Sequence, residues 1–194
     1  MTGWRRLAPG AVSVVLVVAM VALGVLVGPG ATALDDRVAA AGEHVSWLAA
    51  LTGRIPLTAA LLGVLAIAIR RRWWRLAVAA VLFPPAGYAL VQLIKPLFGR
   101  RKEGALAYPS GHITVTTIVA GLVVVAAGYA LWAVIGAAGY IALAVIGVGT
   151  TFHYLTDALG GVLLGGGFVG MAVLLARPLF DTCQPTAMGI TTGG

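Results

Sequence analysis

Long apolar stretches, separated by short polar or charged segments, make up most of this chain. No charged residue occurs within 7–34 or 113–152, and shorter charge-free stretches cover 55–69, 76–94 and 158–176. A transmembrane helix needs about 20 consecutive, mostly apolar residues. The pattern therefore predicts membrane-spanning helices over all of these stretches. The first has a basic start, as a signal peptide has, but its length and the spans that follow favour a retained helix.

The stretch 113–152 is too long for one span. As a single helix it would measure about 60 Å, roughly twice the hydrocarbon core of a bilayer. We therefore expect it to fold back near 128–136. The pattern then predicts an all-α integral membrane protein with six transmembrane helices in one domain over 1–177, followed by a disordered tail over 178–194.

Composition agrees with the membrane class. Hydrophobic residues make up 60% of the chain and charged residues only 10%, whereas a soluble domain has about 25% charged residues. With a single cysteine, Cys183, the chain can form no intrachain disulfide, and a cysteine-based metal site is not expected.

The 13 basic residues exceed the 6 acidic ones, but they lie between apolar stretches, so the excess indicates orientation in a bilayer rather than nucleic-acid binding. If the N-terminus is cytoplasmic, Arg37 and Arg54 lie outside. The cytoplasmic side then carries seven cations: Arg5, Arg6, Arg70, Arg71, Arg72, Arg75 and Arg177. This distribution predicts a multi-pass protein of the cell membrane with both termini in the cytoplasm.

A second group of cations breaks this pattern, because it falls on the outer side. Four of the eight residues from 95 to 102 are basic, namely Lys95, Arg100, Arg101 and Lys102. Since they do not serve topology, we interpret them as binding residues for an anionic ligand, with bidentate phosphate geometry available from the arginines.

Two polar motifs are predicted to reach the same membrane surface. In "YPSGH", Ser110 and Gly111 open a helix whose free N–H groups favour an anion, and His112 stands there as a proton donor. In "FHYLTDALGG", His153 and Asp157 are four residues apart and would share a helix face. A carboxylate beside an imidazole fixes its tautomer and makes it a competent nucleophile or base.

Two histidines, a carboxylate, a helix N-terminus and a cation cluster together indicate phosphoryl transfer. The sequence has no dense carboxylate cluster to hold Mg²⁺ and no nucleotide loop of the GxxxxGK type. We therefore predict no metal and no other cofactor.

In combination, the motifs resemble those of the membrane-integral type 2 phosphatidic acid phosphatases, within the lipid phosphate phosphatase superfamily. That family carries a Lys with Arg-Pro seven residues later, then Pro-Ser-Gly-His, then Ser-Arg with a His six residues after the Arg and an Asp four after the His. Here the matching residues are Lys95, Pro-Ser-Gly-His at 109–112, His153 and Asp157. The resemblance covers roughly 95–161 and implies the helical bundle of that family.

The resemblance also implies roles for these residues. His153 would attack phosphorus and form a phosphohistidine, Asp157 would orient it, and His112 would protonate the leaving oxygen and later activate water. The phosphate oxygens would be held by Lys95, Arg100, Arg101, Ser110 and the N–H of Gly111.

The chain departs from the family at two points. Lys102 and Glu103 stand where Arg-Pro is expected, and Ile146 and Gly147 replace the Ser-Arg pair whose arginine binds phosphate in the family. Either the basic cluster compensates, or the rate is reduced, or the protein is not an enzyme.

These observations predict a membrane phosphatase acting at the extracytoplasmic face on phosphatidic acid, phosphatidylglycerophosphate or a polyprenyl phosphate or diphosphate. The high Ala, Val, Gly and Arg content resembles that of a high-GC bacterium, in which polyprenyl carriers of cell wall synthesis are attractive substrates. One alternative is a catalytically silent family member that binds a lipid phosphate or a partner membrane protein. A second is a lipid or anion transporter. The sequence leaves open whether the protein forms a homo-oligomer.

Overall fold

The computed structural model describes residues 3–42 and 44–176, and the secondary structure of this part of the chain is almost entirely helical. In chain order the elements are α1 (Gly3–Val27), α2 (Ala33–Ala41), a 3₁₀ helix (Ser46–Thr52), α3 (Arg54–Arg70), α4 (Trp74–Phe98), β1 (Arg101–Lys102), β2 (Ala105–Leu106), α5 (Gly111–Ala126), α6 (Leu131–Gly149) and α7 (Leu155–Ala176). The all-α prediction is confirmed at the level of fold class. The predicted tail at 178–194, together with Arg177, lies outside the described residues.

Within the described residues, five segments are helical, long and apolar enough to cross a membrane. They are Pro9–Val27, Ser46–Arg70, Trp74–Phe98, Leu131–Gly149 and Leu155–Ala176. The fourth of the six predicted spans, α5, is apolar but has only 16 residues. At 1.5 Å per residue it measures about 24 Å, short of the roughly 30 Å bilayer core.

Helix α5 forms the centre of the bundle. It contacts α3, α4, α6 and α7, and its buried residues lie on all sides of the helix. Thr114 and Thr116, both fully buried, donate their hydroxyl hydrogens to the carbonyls of Ser110 and His112, four residues earlier. These hydrogen bonds within the helix satisfy the two hydroxyl groups in the interior of the bundle.

The charge-free stretch 113–152 folds into two helices, as predicted. The turn occupies 127–130, at the N-terminal edge of the expected window. Gly128 and Tyr129 both have positive φ angles there, 66° and 61°. Glycine adopts this left-handed conformation without steric cost, which explains why the chain reverses at this point.

The mixed segment between the first two spans contains α2, which begins with a reciprocal cap. The Thr32 hydroxyl accepts from the N–H of Asp35, and the Asp35 carboxylate accepts from the N–H of Thr32. Such a capping box satisfies two N–H groups that the helix itself leaves without acceptors. It fixes the start of α2, which packs against α7.

Several helix ends meet at one end of the bundle. The short hairpin of β1 and β2 connects the end of α4 to the start of α5, with Arg101 paired to Leu106. The N–H of Ser110, just before α5, donates to the carbonyl of Asp157 in the first turn of α7 at 3.0 Å. This hydrogen bond aligns the starts of α5 and α7, and with them the two motifs that the sequence singles out.

Glycines allow α5 and α7 to pack backbone against backbone. A Cβ atom on Gly161 would lie 2.7 Å from the carbonyl oxygen of Ser110 and 3.0 Å from the Cβ of Ile113. One on Gly165 would lie 2.8 Å from the carbonyl oxygen of Thr114. Small residues at membrane helix interfaces permit this close approach.

We expect Gly161→Ala to lower the melting temperature in detergent, because the added methyl group meets backbone that cannot move aside. Overpacking of this kind costs about 1–3 kcal/mol. Gly63→Ala in α3 is the matched control, since a Cβ there meets nothing within 4 Å. Equal melting temperatures for the two variants would contradict the packing of α5 on α7.

Candidate active site

The imidazoles of His112 and His153 face each other. His112 is the second residue of α5, and His153 lies in the connection between α6 and α7. Their ring centroids are 6.2 Å apart, with an angle of 61° between the ring planes. The ring of Phe152 stacks on the imidazole of His112, with the two centroids 6.1 Å apart. The fold therefore joins two motifs that are distant in the chain.

His153 lies beside the buried carboxylate of Asp157. Its Nδ1 atom is 3.9 Å from Oδ2 of Asp157, a distance for charge attraction rather than for a hydrogen bond. The two residues do not share a helix face, because α7 begins at Leu155 and His153 lies in the connection before it. Oδ2 of Asp157 also accepts from the N–H of Tyr154 at 3.0 Å. This hydrogen bond caps the first turn of α7 and leaves His153 before the helix.

Arg100 is the buried cation of the site. Only 1% of its surface is exposed, and its Nη2 lies 2.6 Å from Oδ2 of Asp35. Its Nε is 3.4 Å from Oδ1 of Asp157, and its guanidinium lies 4.7 Å from the ring centroid of Tyr154. Nε and Nη1 have no hydrogen-bond acceptor among the described residues. The guanidinium of Arg100 therefore lies between two carboxylates, and its Nε and Nη1 remain without a hydrogen bond among the described residues.

The two lysines of the basic cluster bind backbone carbonyls around the site. Lys95, in the last turn of α4, donates to the carbonyl of Leu106 at 2.9 Å. Lys102 donates to the carbonyls of Thr151 and His153 at 2.8 and 2.9 Å. Lys102, one of the four cations that the sequence singles out, therefore holds the loop that carries His153.

Arg101 lies apart from this group. It is exposed, and its Nη1 donates to the carbonyl of Gly104 in the hairpin turn at 2.9 Å. Side chains alternate between the two faces of a strand, so Arg101 and Lys102 leave β1 on opposite sides. The cluster that looks continuous in the sequence is thus divided by the hairpin.

Ser110 and Gly111 form the start of α5. Ser110 is fully buried, and its Oγ accepts from the N–H of Ile113 at 3.5 Å as the N-cap of the helix. The N–H groups of Gly111 and His112 have no acceptor within the helix, because the first turn of any helix lacks them. This end of α5 can therefore receive an anion.

Asp35 is the residue that sequence reasoning missed. Besides Arg100 it accepts from the N–H and the hydroxyl of Thr156, each at 3.0 Å. Burial acts to raise the pKa of the Asp35 carboxyl, but hydrogen bonds from Thr156 and Thr32 outweigh it and hold the pKa below 3.8. The sequence shows only the capping box, which gives no sign that α2 reaches the site.

Gly147 stands where the resembled family has an arginine, and backbone fills the space around it. A Cβ on Gly147 would lie 2.3 Å from the backbone nitrogen of Ala49 and 2.4 Å from the carbonyl carbon of Leu48. Both belong to the 3₁₀ helix, which packs directly on α6. No side chain fits at this position without moving that helix, so any substitute for the arginine must come from another element.

We expect Asp35→Asn to destabilise the protein strongly, because Arg100 would lose one partner of a buried ion pair. Removing one partner of such a pair costs about 3–5 kcal/mol. Asp36→Asn removes an equal charge from the same helix at an exposed position and is the control. Comparable melting temperatures for the two variants would show that the pair with Arg100 carries no stability.

The lowered pKa of Asp35 also predicts a pH dependence. Its contribution to stability is complete above 3.8, the ordinary pKa of the carboxyl, and is lost as the pH falls through the lower pKa of the folded state. Acid unfolding followed by circular dichroism measures this loss. In Asp35→Asn we expect a shallower fall in stability below this pH than in the wild type.

Comparison with known proteins gives no relative. No protein-family model matches the chain, and neither a curated protein nor a solved structure matches it.

Proposed function

We propose that this protein is a membrane phosphatase that hydrolyses a lipid phosphate or diphosphate through a phosphohistidine intermediate. The observation that carries the proposal is the 6.2 Å approach of the His112 and His153 rings beside the carboxylate of Asp157. Paired imidazoles with an orienting carboxylate supply a nucleophile and an acid–base group for one phosphorus atom.

His153 is the proposed nucleophile. Its Nδ1 faces Asp157, so the lone pair for attack is on Nε2. Nδ1 of His153 and Oδ1 of Asp157 have no hydrogen bond among the described residues. A small closure brings Nδ1–H onto the carboxylate and stabilises the positive charge that develops on the ring. Catalytic hydrogen bonds often tighten in this way when substrate binds.

His112 is the proposed acid and base. In the first step the Nε2–P bond of His153 forms, the bond from phosphorus to the leaving oxygen breaks, and His112 gives that oxygen its proton. In the second step water attacks phosphorus, His112 takes a proton from it, and the N–P bond breaks to release inorganic phosphate. Both steps require the two rings on opposite sides of the phosphorus atom, as their approach allows.

Four groups are proposed to hold the phosphate oxygens. The N–H groups that open α5, the hydroxyl of Ser110 and Lys95 approach from the membrane helices. Arg100 supplies Nη1 and Nε, which have no hydrogen bond among the described residues, although Nε lies 3.4 Å from Oδ1 of Asp157. Fixed donors of this kind stabilise the charge that develops in the transition state. Arg101 is held at the hairpin carbonyl of Gly104, and we assign it no contact.

We propose that α5 also spans the membrane, which gives six spans in total. We further propose that the site faces the extracytoplasmic side. As the central helix α5 lies among neighbours rather than against lipid, so 16 residues suffice. Arg70, Arg71 and Arg72 lie at the opposite end of the bundle, between α3 and α4. A basic connection there supports a cytoplasmic location for that end.

A catalytically silent protein that binds a lipid phosphate is the second candidate. Two observations favour it: Gly147 leaves no space for the family arginine, and Arg100 is already neutralised by Asp35 and Asp157.

Substitution of each histidine separates the two candidates. We expect His153→Ala to reduce phosphate release to background and His112→Ala to reduce it by about 10²–10⁴-fold, the usual contribution of general acid–base catalysis. His44→Ala is the control, because His44 is exposed and is the only other histidine of the chain. Phosphate release from purified protein in detergent is the measurement.

The covalent intermediate is checked with a ³²P-labelled substrate. We expect an acid-labile, base-stable label on the wild type and none on His153→Ala. Turnover that survives His153→Ala would overturn the mechanism, and binding without any turnover would favour the silent protein.

A further inference from the structure

His112 lines a cavity that none of the four cations of the basic cluster borders. The cavity has a volume of about 640 Å³ and lies between α3, α4, α5 and the 3₁₀ helix. Its polar lining includes Tyr88 from α4 and Arg54 from α3, and the rest is mostly apolar. Neither His153 nor Asp157 borders it. The cavity therefore belongs to the His112 side of the two rings.

In the proposed mechanism this side is where the leaving group must lie. His153 attacks from one face of the phosphorus, and the leaving oxygen departs from the opposite face, where His112 protonates it. A group attached to that oxygen extends past His112 into the cavity. The residues of α3 and α4 that line the cavity thus select the leaving group. The start of α5, which borders the cavity through Gly111 and His112, and Lys95 hold the phosphoryl group that is transferred.

Among the described residues, Arg54 is the one cation that lines this cavity. Arg100 is bound to carboxylates, Lys95 and Lys102 are bound to backbone carbonyls, and Arg101 is bound in the hairpin turn. For Arg54, the described part of the chain supplies neither a hydrogen bond nor an ion pair. A leaving group that is neutral after protonation, such as a lipid alcohol, has no need of a second cation. A leaving group that is itself a phosphate does.

We infer that Arg54 binds an anionic leaving group, so that the preferred substrate is a lipid diphosphate rather than a lipid monophosphate. This inference rests on the proposed function. The bond that breaks joins the terminal phosphorus to the bridging oxygen, and the leaving group is a lipid monophosphate bound by Arg54. Arg54 is thus a specificity residue for the leaving group.

The hydrocarbon tail of this leaving group has a route into the membrane. A second cavity of about 270 Å³, with an almost entirely apolar lining, lies between α3, α5 and α6. The two cavities share Leu57 and Val119 and are therefore adjacent. The tail of a lipid monophosphate held at Arg54 extends past these residues into the second cavity.

Arg54→Gln tests the inference with a lipid diphosphate and a lipid monophosphate of equal polyprenyl chain length. We expect kcat/KM for the diphosphate to fall about tenfold to a hundredfold, the range for one charge-assisted hydrogen bond. For the monophosphate we expect a change of less than about threefold. Arg70→Gln is the matched control, since it removes the same charge at the opposite end of α3.

An equal loss on both substrates would overturn the inference and leave the phosphatase proposal intact. A wild-type protein with a higher kcat/KM for the monophosphate would also overturn the inference and leave the phosphatase proposal intact. Binding of a non-hydrolysable polyprenyl methylenediphosphonate, followed by the rise in melting temperature, separates the two proposals if no turnover occurs. Stabilisation that is lost in Arg54→Gln but kept in Arg70→Gln would then support the site while refuting hydrolysis. Absence of stabilisation in the wild type would refute the inference as well.

The second cavity predicts a dependence on chain length. Gly136 lines it, and a Cβ at Gly136 meets nothing within 4 Å, so Gly136→Leu can add side-chain volume at the cavity. We expect this variant to lower kcat/KM for long-chain diphosphates more than for short ones. Gly139→Leu is the control, because Gly139 is equally open but lies outside the lining. An equal effect of both variants would place the tail elsewhere.

Discussion

The buried guanidinium of Arg100 is the interaction on which the site depends. A charge removed from water is tolerated only with close partners, and Arg100 finds them in Asp35 of α2 and Asp157 of α7. These contacts fix the end of the α4–β1 connection against two helices that are distant in the chain. Because Asp157 also caps α7 and faces His153, the position of His153 follows from the position of Arg100.

A second constraint comes from close backbone packing. Gly161 lets α7 approach the start of α5, and Gly147 lets the 3₁₀ helix approach α6. The first approach brings His112 to the His153–Asp157 pair. The second removes the space for a side chain at Gly147, and the start of α3, which follows the 3₁₀ helix, places Arg54 in the lining of the cavity beside His112. Backbone occupies the volume beside Gly147, so the packing of the helices determines where a cation can lie.

The two sides of the histidine pair differ in charge and in polarity. Lys95, Lys102, Arg100 and two carboxylates surround His153 and the start of α5, whereas the cavity beyond His112 is mostly apolar and has one cation. Such an asymmetry is compatible with the proposed substrate, which has a charged end and a long hydrocarbon chain. It also explains why a polar site is compatible with a bundle that is otherwise apolar, since the polar groups bind one another at the helix ends.

The sequence by itself determined the helical, apolar architecture, the fold-back of 113–152 and the N-cap at Ser110, because these follow from local hydropathy, length and backbone preference. It also singled out His112 and His153, since polar groups stand out in apolar surroundings. Only the tertiary structure decided that Asp35 reaches Arg100, that His153 precedes its helix, that Arg101 turns away, and that Arg54 borders the cavity. These depend on how distant segments pack, and pairing between segments leaves no periodic signal in one sequence.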